Sequence, residues 1–130
     1  MADLSQYRIL IADDEALVKT MYVERLQAEG FSVETASNGE EALATIETWR
    51  PHLVLLDVMM PKMNGFEVMD KLKHEPEEIK NTKVVLLTAL SGTEHKIKGA
   101  TTNALDYIIK SDVIPDEIVL RIKGWLNIAE

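Results

Sequence analysis

Four short apolar runs each end in a residue able to do chemistry, and this punctuation constrains the fold more than any other feature. Arg8-Ile9-Leu10-Ile11-Ala12 runs into Asp13-Asp14, and Leu53-Val54-Leu55-Leu56 runs into Asp57. Val84-Val85-Leu86-Leu87 ends in Thr88, and Tyr107-Ile108-Ile109 ends in Lys110. Continuously apolar runs of this length suit strands of a parallel sheet covered on both faces. If all four are parallel, three acids, one hydroxyl and one ammonium meet at one edge of the sheet. Open α/β sheets bind ligands there, beyond the carboxyl ends of their strands. Three acids together suit a hard cation such as Mg²⁺, and the Thr and Lys suit phosphate oxygens.

Between the runs the pattern turns helical. Residues 16–29 carry Leu17, Val18, Met21, Tyr22 and Leu26 at helical spacing, and Gly30 follows as a stop. Residues 31–36 read as a second strand, and Ser37-Asn38-Gly39 as a turn. A helix is expected over 40–49 through Ala42, Leu43 and Ile46, ended by Pro51. Asn64-Gly65 reads as a tight turn with no further role, before a helix over about 66–73. The stretch 74–82 reads as a charged connector. Ser91-Gly92-Thr93-Glu94 has capping-box spacing and opens a short helix to about 100. Strand 5 is expected over 104–109. Pro115 then starts a last helix whose Ile118, Ile122, Trp125, Leu126 and Ala129 form one apolar stripe. Alternating strands and helices imply a doubly wound α/β domain, a five-stranded parallel sheet with helices on both faces.

Composition narrows the class. At 130 residues the expectation is one domain. No cysteine is present, so disulfides and thiolate metal sites are excluded. Fourteen basic against 22 acidic residues give a net charge of −8, which argues against direct nucleic-acid binding. The opening Met1-Ala2-Asp3-Leu4-Ser5-Gln6 is neither basic nor apolar, and no apolar run approaches the ~18 residues of a membrane span. A soluble, cytoplasmic domain is therefore expected.

At this point the chain resembles the receiver domain of bacterial response regulators. The resemblance is carried by Asp13-Asp14, by Asp57-Val58-Met59-Met60-Pro61-Lys62-Met63-Asn64-Gly65, and by Thr88-Ala89, Tyr107 and Lys110. These stand in order, with 43 positions from Asp14 to Asp57 and 53 from Asp57 to Lys110. It implies a flavodoxin-like strand order 2-1-3-4-5 and a single receiver domain over residues 1–130, with no effector domain in this chain. It also implies a phosphoacceptor signalling domain rather than a turnover enzyme. Asp57 would take a phosphoryl group from a phosphohistidine or a small acyl phosphate. Asp13, Asp14, Asp57 and the backbone carbonyl of Met59 would hold Mg²⁺, with Mn²⁺ an acceptable substitute. Lys110 would pair with a phosphoryl oxygen. Thr88 and Tyr107 match the family's switch pair, acting on the face formed by the helix over 93–100, strand 5 and the last helix. The implied partners are a histidine kinase or histidine phosphotransfer protein and a downstream protein target, with a phosphorylation-dependent homodimer as a further option.

Each residue has a plainer reading when taken alone. Asp14 fits a helix cap, Asp57 a turn before Met60-Pro61, Lys110 a solvated cation, and Tyr107 a strand aromatic that does not move. Their joint occurrence at strand ends favours the chemical reading. The two positions that tune loss of the phosphoryl group in the family are Met59 and Leu90 here. Both are apolar and unable to orient water, so slow autodephosphorylation is expected. One departure stands out: Lys110 is followed by Ser111, where the family usually has Pro in a cis peptide. A cis bond to a non-proline residue costs roughly 2.5–4 kcal/mol, so a trans bond or a strained cis one is expected. His52, His74 and His95 show no metal-site spacing.

Two other classes compete. A haloacid-dehalogenase-like phosphohydrolase also uses an aspartyl nucleophile at a strand end, but needs a second acid two residues on, where Met59 stands. A flavin-binding protein of the same strand order needs a phosphate-cradling loop after strand 1, where Asp13-Asp14-Glu15 would repel phosphate.

Overall fold

The computed structural model describes residues 3–89 and 103–128, and its five strands form one parallel sheet. The strands are β1 (Arg8–Ala12), β2 (Ser32–Ala36), β3 (Leu53–Asp57), β4 (Lys83–Thr88) and β5 (Asp106–Ile109). Their order is β2-β1-β3-β4-β5, as the resemblance implied. The helices are α1 (Ala16–Glu29), α2 (Gly39–Trp49), α3 (Gly65–Leu72), a single turn α4 (Glu77–Lys80) and α5 (Pro115–Trp125). The expected helix over 93–100, with Leu90, His95 and Ala129, lies outside the described residues.

The sheet divides the core into two apolar layers. Leu10, Val54, Leu56 and Leu86 pack toward α2 and α3. Ile9, Ile11, Leu53, Leu55, Val85 and Leu87 pack toward α1 and α5. Alternate residues of one strand thus serve opposite layers, which is why both β1 and β3 read as continuous apolar runs. Asp57 pairs with Leu87 across the β3–β4 ladder, and Thr88 with Ile109 across β4–β5. This register brings the polar strand ends to a common edge.

Several expectations shift. Leu17 and Met21 match the helical spacing of α1 but are 85% and 50% exposed; Tyr22 and Leu26 are buried instead. Asn38 is the N-cap of α2, accepting from the Glu41 N–H, rather than only a turn residue. The charged connector holds α4, whose Ile79 is buried in the core, because one apolar side chain suffices to pin a single turn. Val119, outside the apolar stripe read from the sequence, is also buried on α5. Gly30 ends α1 with φ 113°, as read from the sequence.

Gly65 carries more than a tight turn. A Cβ there would lie 2.6 Å from the Asp57 carbonyl oxygen and 3.0 Å from the Val58 Cα. A Cβ on Gly39 would lie 2.0 Å from the Met63 carbonyl oxygen. Both helix starts close against the loop that follows Asp57. Asn64 and Glu67 complete a reciprocal capping box that fixes the entry of α3.

Candidate functional site

Asp13, Asp57 and Lys110 converge although they come from three different strand ends. Asp13 follows β1, is fully buried, and its backbone N–H donates to the Ala36 carbonyl. Its Oδ1 accepts the Glu15 N–H at 2.9 Å, pinning the loop into α1. Glu15, not Asp14, is the N-cap residue of α1, and no side chain caps that helix, so the plain capping reading of Asp14 fails. Asp57 closes β3 and is buried, with Oδ1 accepting the Met59 N–H at 3.3 Å. Lys110 opens a short 3₁₀ turn, Lys110–Asp112, directly after β5.

The Lys110 ammonium lies 2.7 Å from Asp13 Oδ2, 3.3 Å from Asp57 Oδ2 and 3.2 Å from Glu15 Oε1. Its contacts with Glu15 and Asp57 are hydrogen bonds. The contact with Asp13 is a close ion pair without hydrogen-bonding angles, and Asp13 Oδ2 accepts no hydrogen bond among the described residues. Burial without a hydrogen bond is costly for a carboxylate oxygen, and the adjacent Lys110 charge offsets part of that cost.

Electrostatics follow from this crowding. Burial first, and then the Asp13 carboxylate, pushes the Asp57 carboxyl up to about 7 against the pull of Lys110. Burial opposes the Lys110 charge, but Asp13 and Asp57 outweigh it and hold the ammonium above its usual range. Burial also raises the Tyr22 hydroxyl, with smaller opposing effects of Lys110 and Asp13.

One carboxylate oxygen each of Asp13, Asp14 and Asp57 lies within 4.8 Å of the others. The donors are all hard oxygens, the kind Mg²⁺ takes. Together with Asp13 Oδ2, which no hydrogen bond engages among the described residues, this set fits a small divalent cation. The Met59 side chain points away from burial, 61% exposed.

Thr88 is buried at the end of β4 and Tyr107 is half-buried, packed on the α2–α3 layer. Leu86 faces Tyr107 across the ladder, so Thr88 and Tyr107 lie on the same sheet face two rungs apart. The Lys110–Ser111 peptide is trans, as is every other among the described residues. Of the residues around Lys110, sequence reasoning passed over Glu15 as a partner. The one available signal was its place as a third acid after β1. His52 sits at the opposite end of the sheet, its Nδ1 accepting the Arg8 N–H at 3.0 Å.

The acidic pocket and Lys110 lie at the carboxyl edge of an open, doubly wound sheet, the edge at which α/β proteins of this architecture bind ligands. The chain belongs to the response regulator receiver domain family, whose model matches residues 9–123. It is 37% identical over 123 residues to the alkaline phosphatase synthesis transcriptional regulatory protein PhoP of Bacillus subtilis, covering 95% of this chain and 50% of that one. It is similar to the CheY-like receiver domain protein of Methanospirillum hungatei, with TM-score 0.81, 30% identity and coverage of 93% and 94%. It is similar also to TrrA of Thermotoga maritima in complex with Mg(2+)-BeF, with TM-score 0.78, 36% identity and coverage of 91% and 97%. The chain spans about half the length of the curated relatives it matches, several of them named as transcriptional regulators. Receiver domains are signalling domains of two-component systems. No helix among the described residues is long and apolar enough to cross a membrane.

Proposed function

We propose that residues 1–130 form one receiver domain that accepts a phosphoryl group on Asp57 from a phosphohistidine donor, a histidine kinase or a histidine phosphotransfer protein. The observation that carries this reading is Asp57 buried at a strand end, hydrogen-bonded to Lys110 at 3.3 Å and beside an Asp13 oxygen with no hydrogen bond.

In the transfer, an Asp57 carboxylate oxygen attacks phosphorus, and the P–N bond to the donor imidazole breaks with its electron pair on nitrogen. Carboxylate and phosphoryl group both carry negative charge, so the site must supply positive charge. Lys110 supplies one unit by pairing with a phosphoryl oxygen. Mg²⁺ held by Asp13, Asp14, Asp57 and the Met59 carbonyl would neutralise the remainder. The low-dielectric setting of the pocket strengthens each of these contacts.

The proposed output is a change on the face that includes β5 and α5. Thr88 lies at the same edge as Asp57, and Tyr107 lies on the same sheet face as Thr88. A Thr88 hydroxyl drawn toward the phosphoryl group would free space for the Tyr107 ring, a two-state element biased by a local charge. The altered face would then engage a downstream protein or a second copy of the chain.

The test is intact mass after incubation with acetyl phosphate, with and without Mg²⁺, on the wild type and Asp57→Asn. One phosphoryl adduct that requires both Mg²⁺ and Asp57 supports the reading. An adduct that survives in Asp57→Asn, or none under any condition, overturns it.

A further inference from the structure

Lys110 is surrounded by three carboxylates, and they are not equivalent. The Asp13 side chain is 0% exposed, the Asp57 side chain 4%, and the Glu15 side chain 56%. Asp57 Oδ2 and Glu15 Oε1 each take a hydrogen bond from the ammonium, and Asp13 Oδ2 takes the closest charge contact. An ammonium has three N–H donors. Asp57 and Glu15 take two of them, and the Asp13 carboxylate crowds the remaining side of the ammonium.

A phosphoryl oxygen that pairs with Lys110 competes with these partners for the ammonium. Asp57 is the nucleophile and stays. Asp13 is held from the other side, its Oδ1 tied to the Glu15 N–H. Glu15 is the partner with solvent on one side and a flexible stem, so it is the one able to leave. While in place it also sets a negative charge over the pocket, beside Asp14.

We propose that Glu15 is a positioning residue that sets phosphodonor preference, by occupying the outer hydrogen bond of Lys110 and placing a negative charge at the mouth of the pocket. This rests on the receiver reading given above. It makes the site discriminate among donors by charge. A dianionic donor meets the Glu15 charge and also competes with it for Lys110. A donor with a cationic leaving group is penalised less, and a protein donor offsets the penalty with contacts elsewhere on its surface.

The test compares acetyl phosphate, a dianion at neutral pH, with phosphoramidate, whose protonated nitrogen leaves one net negative charge. In the first reaction the P–O bond to acetate breaks and acetate departs. In the second the P–N bond breaks and ammonia departs. Initial rates of Asp57 phosphorylation are measured with Mg²⁺ for the wild type, Glu15→Gln and Glu15→Asp, at low and high ionic strength. Through-space charge effects at exposed sites are screened by salt. Glu15→Gln is expected to raise the acetyl phosphate rate about three- to ten-fold, the fold-change of ~1 kcal/mol, with a smaller gain for phosphoramidate. The difference shrinks at high salt, and Glu15→Asp stays near the wild type at low salt. Equal changes with both donors, or changes indifferent to salt, overturn the proposal. If neither phosphorylates any variant, the receiver reading falls and this inference with it.

Discussion

Lys110 lies nearer to Asp13, at 2.7 Å, than to Asp57, at 3.3 Å. Its first structural duty is therefore to neutralise the Asp13 carboxylate, and its second to reach Asp57. Removing it leaves two buried carboxylates facing one another, so Lys110→Met is expected to destabilise the metal-free protein by on the order of 3 kcal/mol at pH 8. The sign with pH follows from the raised Lys110 pKa: its stabilisation is fully present below the unfolded lysine value and is lost only in strong alkali. The wild-type ammonium stays charged from pH 5 to 9. In the variant, protonation of a carboxylate relieves the strain at pH 5, so the deficit grows with pH. Urea melts at pH 5 and pH 8 in EDTA check this; an equal loss at both would contradict it.

Asp57→Asn is expected to raise stability without metal. The Asp57 carboxyl is pushed up to about 7, so the folded state resists its ionisation. A raised carboxyl costs nothing below the unfolded value and costs progressively more as pH climbs toward its folded one. The gain from Asn thus appears above about pH 4, where unfolded Asp begins to ionise, and levels off above the folded value. A melting temperature higher by about 4 °C at pH 8 corresponds to ~1 kcal/mol in a domain of this size. No gain at pH 8, or a gain largest at pH 4, would count against it.

Gly65→Ala and Gly39→Ala should both destabilise, by about 1–3 kcal/mol. The added Cβ meets backbone rather than a yielding side chain in each case. Gly65→Ala should also slow phosphorylation at Asp57, because the atom displaced is the Asp57 carbonyl oxygen. Gly124→Ala, with no atom near its Cβ, is the control expected to hold or gain stability. Chemical denaturation of the three variants separates the outcomes.

His52 should titrate below an ordinary histidine, first because it is partly buried and second because Arg8 is near. Its Nδ1 accepts the Arg8 N–H, so the neutral ring carries its proton on Nε2. A depressed histidine contributes stability above its unfolded pKa and loses it as pH falls through the folded one. Stability should therefore drop on acidification below about pH 6.5, and Asn at this position, whose amide oxygen can accept the same N–H, should blunt that drop. Nitrogen chemical shifts of the ring read the tautomer directly.

Slow loss of the phosphoryl group is expected from the exposed, apolar Met59. Met59→Asn offers a hydrogen-bonding group for water and should accelerate dephosphorylation about tenfold, less than a fully positioned acid or base contributes. Decay of the intact-mass adduct after donor removal measures it; an unchanged half-life would place the control of decay elsewhere.

The centre of the sheet was legible because β1, β3 and β4 are buried on both faces, so no alternation had to be decoded. The four polar strand ends were legible because each terminates an apolar run. Less could be read from helices. Leu17 and Met21 share the helical period with Tyr22 and Leu26, and periodicity alone does not say which stripe meets the sheet. Gly39 and Gly65 looked like turn residues because the atoms they make room for come from a different segment. Glu15 escaped notice as a partner of Lys110 because 95 residues separate them. Contacts of that kind are properties of the assembled fold, whereas strand termini are local.

The pocket has an order of assembly written into its chain sequence. Asp13 and Asp57 come from the neighbouring strands β1 and β3, while the ammonium that balances them arrives only after β5, at the far edge of the sheet. A chain still emerging from the ribosome, complete through β4, brings its acids together with no lysine between them. Until the last quarter is made, those carboxylates must hold protons, borrow a cation from the cell or stay apart.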